Sequence, residues 1–363
     1  MINRIVFLAM LFIVFSCEPL VTTFDGVENA VLYEAKHFTG APESADTIKV
    51  MTWNVRFGIG RLPFFGDSCG DRSVFTEGEV LSALELIAVE IDAVDPDIIL
   101  LQEVDRESKR TQYIDQVQWL LNHTGMNYAA YASMWKAQVI PSDGIGRIDA
   151  GNAVLSKWKI ESGERIQLPL RGDQDGLTQL FYLQRNVLKT QIIIPDQDNF
   201  YAIVTHSTAF ATDNTKQKHI DMFLAELDEL NSENNVFVAG GDLNSIPPGA
   251  PVYDFCLTDA CSGDEYHTGA DGIPHKEGSY FNNFDNERDL LSPLYDEYNS
   301  AIPLSLAITG DHLTHSTESS IPWDRKLDYI FSNLEVVENS GQTHQSAHML
   351  SDHAPVTCLV TLP

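Results

Sequence analysis

The chain has 363 residues, of which 44% are hydrophobic and 21% charged, a composition that excludes a disordered or collagen-like protein. Lys and Arg number 23 against 52 Asp and Glu, a formal charge of −29. A tight non-specific nucleic-acid binder needs a basic face, and adhesion to anionic lipid needs basic charge. The balance therefore weighs against both, though not against a local basic groove.

The chain opens with one positive charge, Arg4, followed by an unbroken apolar run of eleven residues from Ile5 to Phe15. That run is too short to span a bilayer and matches the core of a signal peptide. Val14-Phe15-Ser16-Cys17 resembles a bacterial lipobox, although Phe15 is not a favoured residue there. Residues 1–16 are therefore expected to be a signal peptide and Cys17 a lipidated anchor. An ordinary secretory signal cut nearby is the alternative. Either way the chain is expected to be exported: a lipoprotein on the outer or cell-surface membrane, or a secreted or periplasmic protein. Residues 17–47 read as a tether and lead-in, with a first strand or short helix. Residues 48–363 read as one catalytic domain.

From there strands and helices alternate. Ile48 to Trp53 is a strand by alternation and content. Thr76-Glu77-Gly78-Glu79 is a capping box, and Val80, Leu81, Leu84, Ile87, Ala88, Ile91 and Val94 follow at helical spacing. Asp95-Pro96 stops that helix. Ile98 to Leu101 is wholly apolar, as in a buried strand. A helix is expected over Gln112 to Asn122, and strands over Ala153–Leu155, Phe181–Ile194 and Tyr201–Thr205. Thr215 to Leu230 is amphipathic, with Ile220, Phe223, Leu224, Leu227 and Leu230 on one face. Val236–Ala239, Tyr329–Phe331 and Val356–Leu362 complete the strands. Residues 262–320, rich in Gly, Asp, Asn, Ser and Pro, read as long loops.

Polar residues sit at the ends of these strands: Asn54, Gln102-Glu103, His206, Asp242-Leu243-Asn244, Asp328 and Asp352-His353. One such residue means only a satisfied loop. Six groups of carboxylates, amides and imidazoles suggest a site, because ligands of α/β folds gather at strand ends. Converging carboxylates repel unless a cation lies between them, and hard oxygen donors suit Mg²⁺, with Mn²⁺ or Ca²⁺ as alternatives. Cys69, Cys256, Cys261 and Cys358 show no zinc spacing. Cys256 and Cys261 are close enough for a disulfide, or are two separate thiols.

The ordered set Met51-Thr52-Trp53-Asn54, Ile99-Leu100-Leu101-Gln102-Glu103, Gly151 to Ser156, Val204-Thr205-His206, Gly241-Asp242-Leu243-Asn244, Lys326 to Ile330 and Ser351-Asp352-His353 resembles the endonuclease/exonuclease/phosphatase superfamily. That superfamily includes DNase I-like nucleases, neutral sphingomyelinases and inositol polyphosphate 5-phosphatases. The resemblance implies an α/β (α+β) fold, a four-layer α/β/β/α sandwich of two packed mixed β-sheets. It implies a metal-dependent phosphoester hydrolase. Glu103 would be the principal metal ligand, with Asn54 and Asp352 completing or orienting the site. Asp242 would orient or deprotonate the attacking water. Asn244, pointing the same way along extended backbone, would hold a phosphate oxygen, or the pair would form an Asx-turn. His353 would stabilise phosphoryl charge, with Asp328 fixing its tautomer, and His206 would be a second acid/base histidine.

Weaker candidates remain. Arg185-Asn186, expected mid-strand, is placed where such enzymes present phosphate contacts, so Arg185 is a candidate substrate contact. Asp311-His312 imitates the Asp-His pair but reads as a solvated loop, and His315, His344 and His348 belong to no motif. Gly58-Ile59-Gly60 and Gly144-Ile145-Gly146 read as turns. Phe57 to Arg72 is an insertion that covers substrate, touches lipid through Phe64 and Phe65, or packs as an Ω-loop. The favoured substrate is a small or lipid-linked phosphoester. The alternatives are a surface nuclease, which the charge disfavours, and a non-catalytic surface binding lipoprotein. No obligate protein partner is evident in the sequence.

Overall fold

The computed structural model describes residues 20–66, 69–140, 144–209, 211, 213–250, 255, 259, 266–268, 274–276 and 289–363. The signal segment, Cys17, Cys256 and Cys261 lie outside the described residues. Cys69 is disulfide-bonded, and Cys358 is a buried free thiol.

Two seven-stranded sheets organise the chain. The first runs in the order β15 (Gln342–Thr343), β16 (Val356–Thr361), β3 (Thr47–Asn54), β4 (Ile98–Asp105), β6 (Gly146–Ser156), β5 (Tyr128–Ile140), β2 (Val31–Glu34). The second runs β1 (Val27–Asn29), β7 (Ile160–Gln167), β8 (Asn186–Ile192), β9 (Phe200–His206), β10 (Val236–Asp242), β14 (Asp328–Ser332), β13 (Asn299–Ser300). The pairs β3–β4 and β9–β10 are parallel, and the other pairings in both sheets are antiparallel. A separate hairpin joins β11 (Tyr266–Thr268) to β12 (Pro274–Lys276). The lead-in thus gives each sheet an edge strand, β1 to one and β2 to the other.

Side-chain alternation makes the layers. Ile48 and Val50 of β3 and Ile98 and Leu100 of β4 meet Leu188, Ala202, Val204 and Val238 of the second sheet in the inter-sheet core. Their neighbours Met51, Trp53, Ile99 and Leu101 point the other way, onto the helices α1 (Glu77–Val94) and α2 (Gln116–His123). A strand buried on both faces needs apolar residues at every position, which is why Ile98 to Leu101 shows no polar alternation. The second sheet's outer face, including Ile203, Phe237 and Phe331, is covered by Ile220, Phe223 and Leu227 of α4 (Thr215–Ser232). The short helices are α3 (Gly176–Phe181), α5 (Ser292–Glu297) and α6 (Leu304–Ala307). This is the expected sandwich of two mixed sheets with helices outside.

Several boundaries differ from the sequence reading. The second helix starts at Gln116 with Asp115 as its cap, because Gln112 and Tyr113 adopt positive φ and break the helical path. The strand expected over Phe181–Ile194 is confined to Asn186–Ile192, with α3 ending at Phe181. Strands β5 and β7 were not anticipated. In β5 the alanines Ala129, Ala130, Ala132 and Ala137 give no apolar alternation to read. The described part of 262–320 carries α5, α6 and three short strands, β11, β12 and β13, rather than loop alone. Among the described residues no helix is long and apolar enough to cross a membrane.

Candidate active site

The topology delivers the expected polar residues to one edge of the sandwich. Parallel pairing puts the C-terminal ends of β3 and β4 side by side, with Asn54 opposite Gln102. It does the same for β9 and β10, with His206 opposite Asp242. Strand β14 runs antiparallel to β10, so its first residue, Asp328, lies opposite Asp242. Strand β16 runs antiparallel to β3, so the turn before it brings His353 to the same edge. Three of the groups belong to one sheet and three to the other, and the site straddles the top of the sandwich.

Two local devices adjust the strand ends. The β4–β6 register shifts between Leu101 and Val104, and Glu103 in that bulge has φ 57°. A bulge re-aims a side chain, and here it turns Glu103 out of the buried alternation of β4 into the cavity. Gly241 has φ 137°, and a Cβ there would stand 1.9 Å from the Thr205 carbonyl oxygen. Only glycine lets β9 and β10 carry His206 and Asp242 this close together.

The side chains form a connected network. Asn54 Nδ2 donates to Glu103 Oε1 at 3.2 Å and to Asp242 Oδ2 at 3.1 Å, while its Oδ1 accepts the Arg56 amide at 3.0 Å. Asp242 Oδ2 also lies 3.2 Å from His206 Nε2 and 3.5 Å from His353 Nε2. His353 Nδ1 lies 2.8 Å from Asp328 Oδ2. Asn244 does not sit on extended backbone: its φ is 48°, and its N–H closes an Asx-turn on Asp242 Oδ1 at 2.9 Å. Its Nδ2 donates to Ser207 O at 3.0 Å, which leaves a second amide hydrogen for the cavity. Asp352 is approached by Arg56 Nε at 3.4 Å, and Ser351 Oγ donates to Asn54 O at 2.7 Å.

Burial disfavours the His353 cation, but Asp328 and Asp242 outweigh it and raise its pKa to about 10. His206 goes the other way, to about 4, through burial and the nearby Arg185 charge. For Asp242, burial opposes ionisation, yet the His353 charge holds its carboxyl below the usual range. At neutral pH the edge therefore holds an imidazolium, a neutral imidazole and a carboxylate between them.

A cavity of about 550 Å³ opens on this edge, lined at one end by Glu103, His206, Asp242, Asn244, Asp352 and His353. Its lining includes no thiol among the described residues, and Glu103 and Asp352 offer it hard oxygen donors. Among the described residues two groups of donor atoms lie within 4.8 Å of one another: Asp242, Asp328 and His353, and His315, Asp352 and His353. The first is already closed by its own hydrogen bond. Glu103, held by Asn54, and Asp352 both line the cavity and by donor type suit a divalent ion, although Glu103 falls in neither group.

Of the weaker candidates, Arg185 is buried in the cavity wall, at the residue before β8 rather than mid-strand. Asn186 instead accepts the Asn152 amide at 3.2 Å and donates to Ser133 O at 3.0 Å. Asp311 and His312 lie in a 3₁₀ turn outside the cavity, Asp311 exposed and His312 half-buried with Nδ1 3.2 Å from Thr343 Oγ1. His344 and His348 bond Thr357 and Ile321 and stay outside the cavity. In the insertion after β3, Phe64 is buried against Phe57 and Phe75, so the segment packs and lines the cavity rather than presenting Phe64 outward. His315 was missed: it is buried, its ring lies 4.6 Å from that of His353, and no motif marked it. Its signal is tertiary, a backbone bridge to His353.

The model of the Endonuclease/Exonuclease/phosphatase family matches residues 51–353. No curated protein matches the chain by sequence. Among solved structures, an endonuclease/exonuclease/phosphatase from Beutenbergia cavernae is 18% identical with a TM-score of 0.54, covering 88% of this chain and 72% of that one. One from Bacteroides vulgatus is 15% identical with a TM-score of 0.52, covering 87% and 99%. The catalytic domain of human Nocturnin with a bound sulfate is 16% identical with a TM-score of 0.50, covering 92% and 98%. At these identities the structural likeness is one of fold.

Proposed function

Since the chain belongs to the endonuclease/exonuclease/phosphatase family, we propose that it is a divalent-metal-dependent hydrolase that cleaves a small or lipid-linked phosphoester by direct in-line attack of water. The observation that carries this reading is Asp242, a carboxylate held between Asn54, His206 and His353 at the floor of the cavity. Glu103 and Asp352 are the residues that would hold Mg²⁺, with Asn54 orienting Glu103. Such an ion neutralises phosphoryl charge when bound.

The remaining roles fall to the chain's own groups. Asp242 accepts a proton of the attacking water and aims its oxygen at phosphorus. As the water oxygen bonds to phosphorus, the ester P–O bond opposite it breaks, and the leaving oxygen takes up a proton. The His353 imidazolium faces the phosphoryl oxygens and stabilises the charge that spreads onto them. Asp328 keeps His353 oriented and charged. His206, neutral and in contact with Asp242, can pass the proton onward. Asn244 and Arg185 are contacts for the phosphate. Export, and anchoring through a lipidated Cys17, belong to the same reading and rest on residues 1–17 of the sequence.

The test is turnover with Mg²⁺ on sphingomyelin-like lipids, inositol phosphates and plasmid DNA, each repeated with EDTA. Cleavage of a lipid or small ester that EDTA stops and metal restores is the expected result. Cleavage of DNA alone would make the protein a nuclease. No turnover with Mg²⁺, Mn²⁺ or Ca²⁺ on any of them would overturn the reading.

A further inference from the structure

Among the described residues, the cavity's carboxylates, amides and imidazoles gather at one end. The rest is walled by three segments that do none of the chemistry. The insertion after β3 supplies Phe64 and Phe65, the β5–β6 hairpin supplies Trp135 and Ile145, and the α3 segment supplies Leu177 and Phe181. A phosphate group alone does not require a chamber of about 550 Å³, which is within the range of organic ligands.

These walls are preformed. Phe64 packs edge-on against Phe57 at 5.7 Å and against Phe65 at 4.9 Å. The Phe65 N–H donates to Arg72 O at 3.1 Å, and Arg72 forks onto Glu79 at 2.8 and 2.7 Å. Glu79 also closes the capping box of α1 on the N-cap Thr76, so the insertion is tied to a helix end. Across the chamber, Trp135 Nε1 donates to Phe181 O at 2.8 Å and joins the hairpin to α3.

The wall's charge decides what fits. Among the described residues its cationic side chains are Arg110 and Arg185. The Arg110 charge is balanced by Asp105, with both carboxylate oxygens at 2.8 Å, although its buried Nη1 has no hydrogen-bond partner among the described residues; the guanidinium lies over Phe57, 3.3 Å from the ring centroid. Arg185 Nη1 lies 3.7 Å from Met134 Sδ on the β5 wall, and its charge also reaches His206 at the polar end. Among the described residues the apolar part thus offers a second phosphate only Arg110, whose charge Asp105 balances, and the edge of Arg185, which it would share with the reacting phosphate. A quaternary ammonium group finds the Phe57 face already taken by a guanidinium, which also stands 5.6 Å from the Phe64 ring and 5.8 Å from the Trp135 ring. The remaining chemistry is uncharged and apolar.

We propose that this chamber is the subsite for an uncharged aryl or alkyl group esterified to the phosphate, so that the substrate is a phosphoester of a hydrophobic alcohol. The proposal rests on the hydrolase reading and narrows it. The ester's phosphate lies against His353 and Asp242, and its apolar group extends between the insertion and the hairpin. A soluble ester and a membrane lipid share this chemistry.

The test uses the full chain with Mg²⁺ and a series of p-nitrophenyl phosphodiesters whose second group is methyl, hexyl or phenyl. The leaving group stays constant but is itself an aryl that the chamber would take, so the phosphonates, which lack it, decide the case if the rates are equal. The expected result is a kcat/KM at least about tenfold higher for phenyl and hexyl than for methyl, the size of effect an apolar pocket gives. In Phe65→Ala, and in Leu177→Asp, the phenyl-to-methyl ratio should collapse toward one. Leu177 is 68% exposed, so its variant keeps the fold, and melting curves check both. Calorimetry with phenylphosphonate and methylphosphonate reads the subsite without turnover, and the same preference is expected. Equal rates and equal binding across the series would overturn the subsite while leaving the hydrolase reading intact. Binding preference without hydrolysis of any ester would overturn the hydrolase reading and leave the subsite standing. Parallel assays on phosphatidylcholine vesicles locate the source: release from vesicles places it in a membrane, and cleavage of soluble esters alone places it in solution.

Discussion

His353 Nδ1 lies 2.8 Å from Asp328 Oδ2, and both residues are buried at the junction of the two sheets. The two come from strands that do not pair, so the contact holds only when the sandwich is closed. It raises the His353 pKa, and a cation is what a phosphoryl transition state needs opposite it. His353→Ala should lower kcat/KM by about 10²- to 10⁴-fold, with a smaller loss for Asp328→Asn. Adding Asp328→Asn to His353→Ala should cost little more, because groups that act as a unit are non-additive. Strictly multiplicative losses would remove the coupled role. In Asp328→Asn the alkaline limb of the rate profile should move to lower pH, since the imidazolium loses its nearest countercharge.

Glu103→Gln keeps size and hydrogen-bonding ability but removes the charge that a metal would meet. Metal binding should weaken and activity should fall by orders of magnitude, while the melting temperature changes little. Near wild-type turnover at limiting Mg²⁺ would show that the metal lies elsewhere. Asn54→Ala should have a weaker effect in the same direction, because it frees Glu103 to move and leaves the carboxylate in place.

The polar strand ends were readable because each adjoins a recognisable apolar run: Asn54, Glu103, His206 and Asp242 follow one, and Asp328 and His353 precede one. What joins them was not. Nothing in Gln102-Glu103 announces a bulge, yet Glu103 reaches the cavity only through its positive φ. Strand β5 was invisible because four alanines blur its alternation, and its hairpin supplies a wall of the chamber. Asp242 and Asn244 were expected to point together along extended backbone, whereas the left-handed φ of Asn244 folds its amide back onto Asp242. His315 owes its place beside His353 to the pairing of a segment that carries no motif of its own with the segment of His353. Local patterns marked which residues carry chemistry, and register and loop packing decided how they meet.

Gly241→Ala tests how closely β9 and β10 must approach. A Cβ would meet Thr205 O at 1.9 Å, on a backbone with φ 137°. The strands must part or the turn must change, so stability should drop by about 2 kcal/mol or more. Activity per folded molecule should drop as well, because the same spacing sets the contact of 3.2 Å between His206 and Asp242. A variant that melts early but turns over normally would show that the approach serves the fold alone.

The acid limit of stability should depend on His219, a residue outside the cavity. It lies on α4, with Nδ1 accepting the Thr208 N–H at 3.2 Å and Nε2 against Pro169 O at 2.8 Å. One nitrogen must accept and the other donate, which only the neutral ring can do. Burial lowers its pKa from 6.5 to about 4. A depressed histidine pKa means that the unfolded chain binds the proton more tightly. Its stabilising contribution is complete above the unfolded value of 6.5 and is lost as pH falls through about 4. Melting followed from pH 8 to 4 should therefore decline at the acid end. In His219→Gln, which can still donate and accept but does not titrate, the decline should be shallower. The Thr208 contact fixes the backbone just beyond His206, so protonation of His219 should also disturb the site before global unfolding. An unchanged slope in His219→Gln would assign the acid sensitivity to the carboxylates instead.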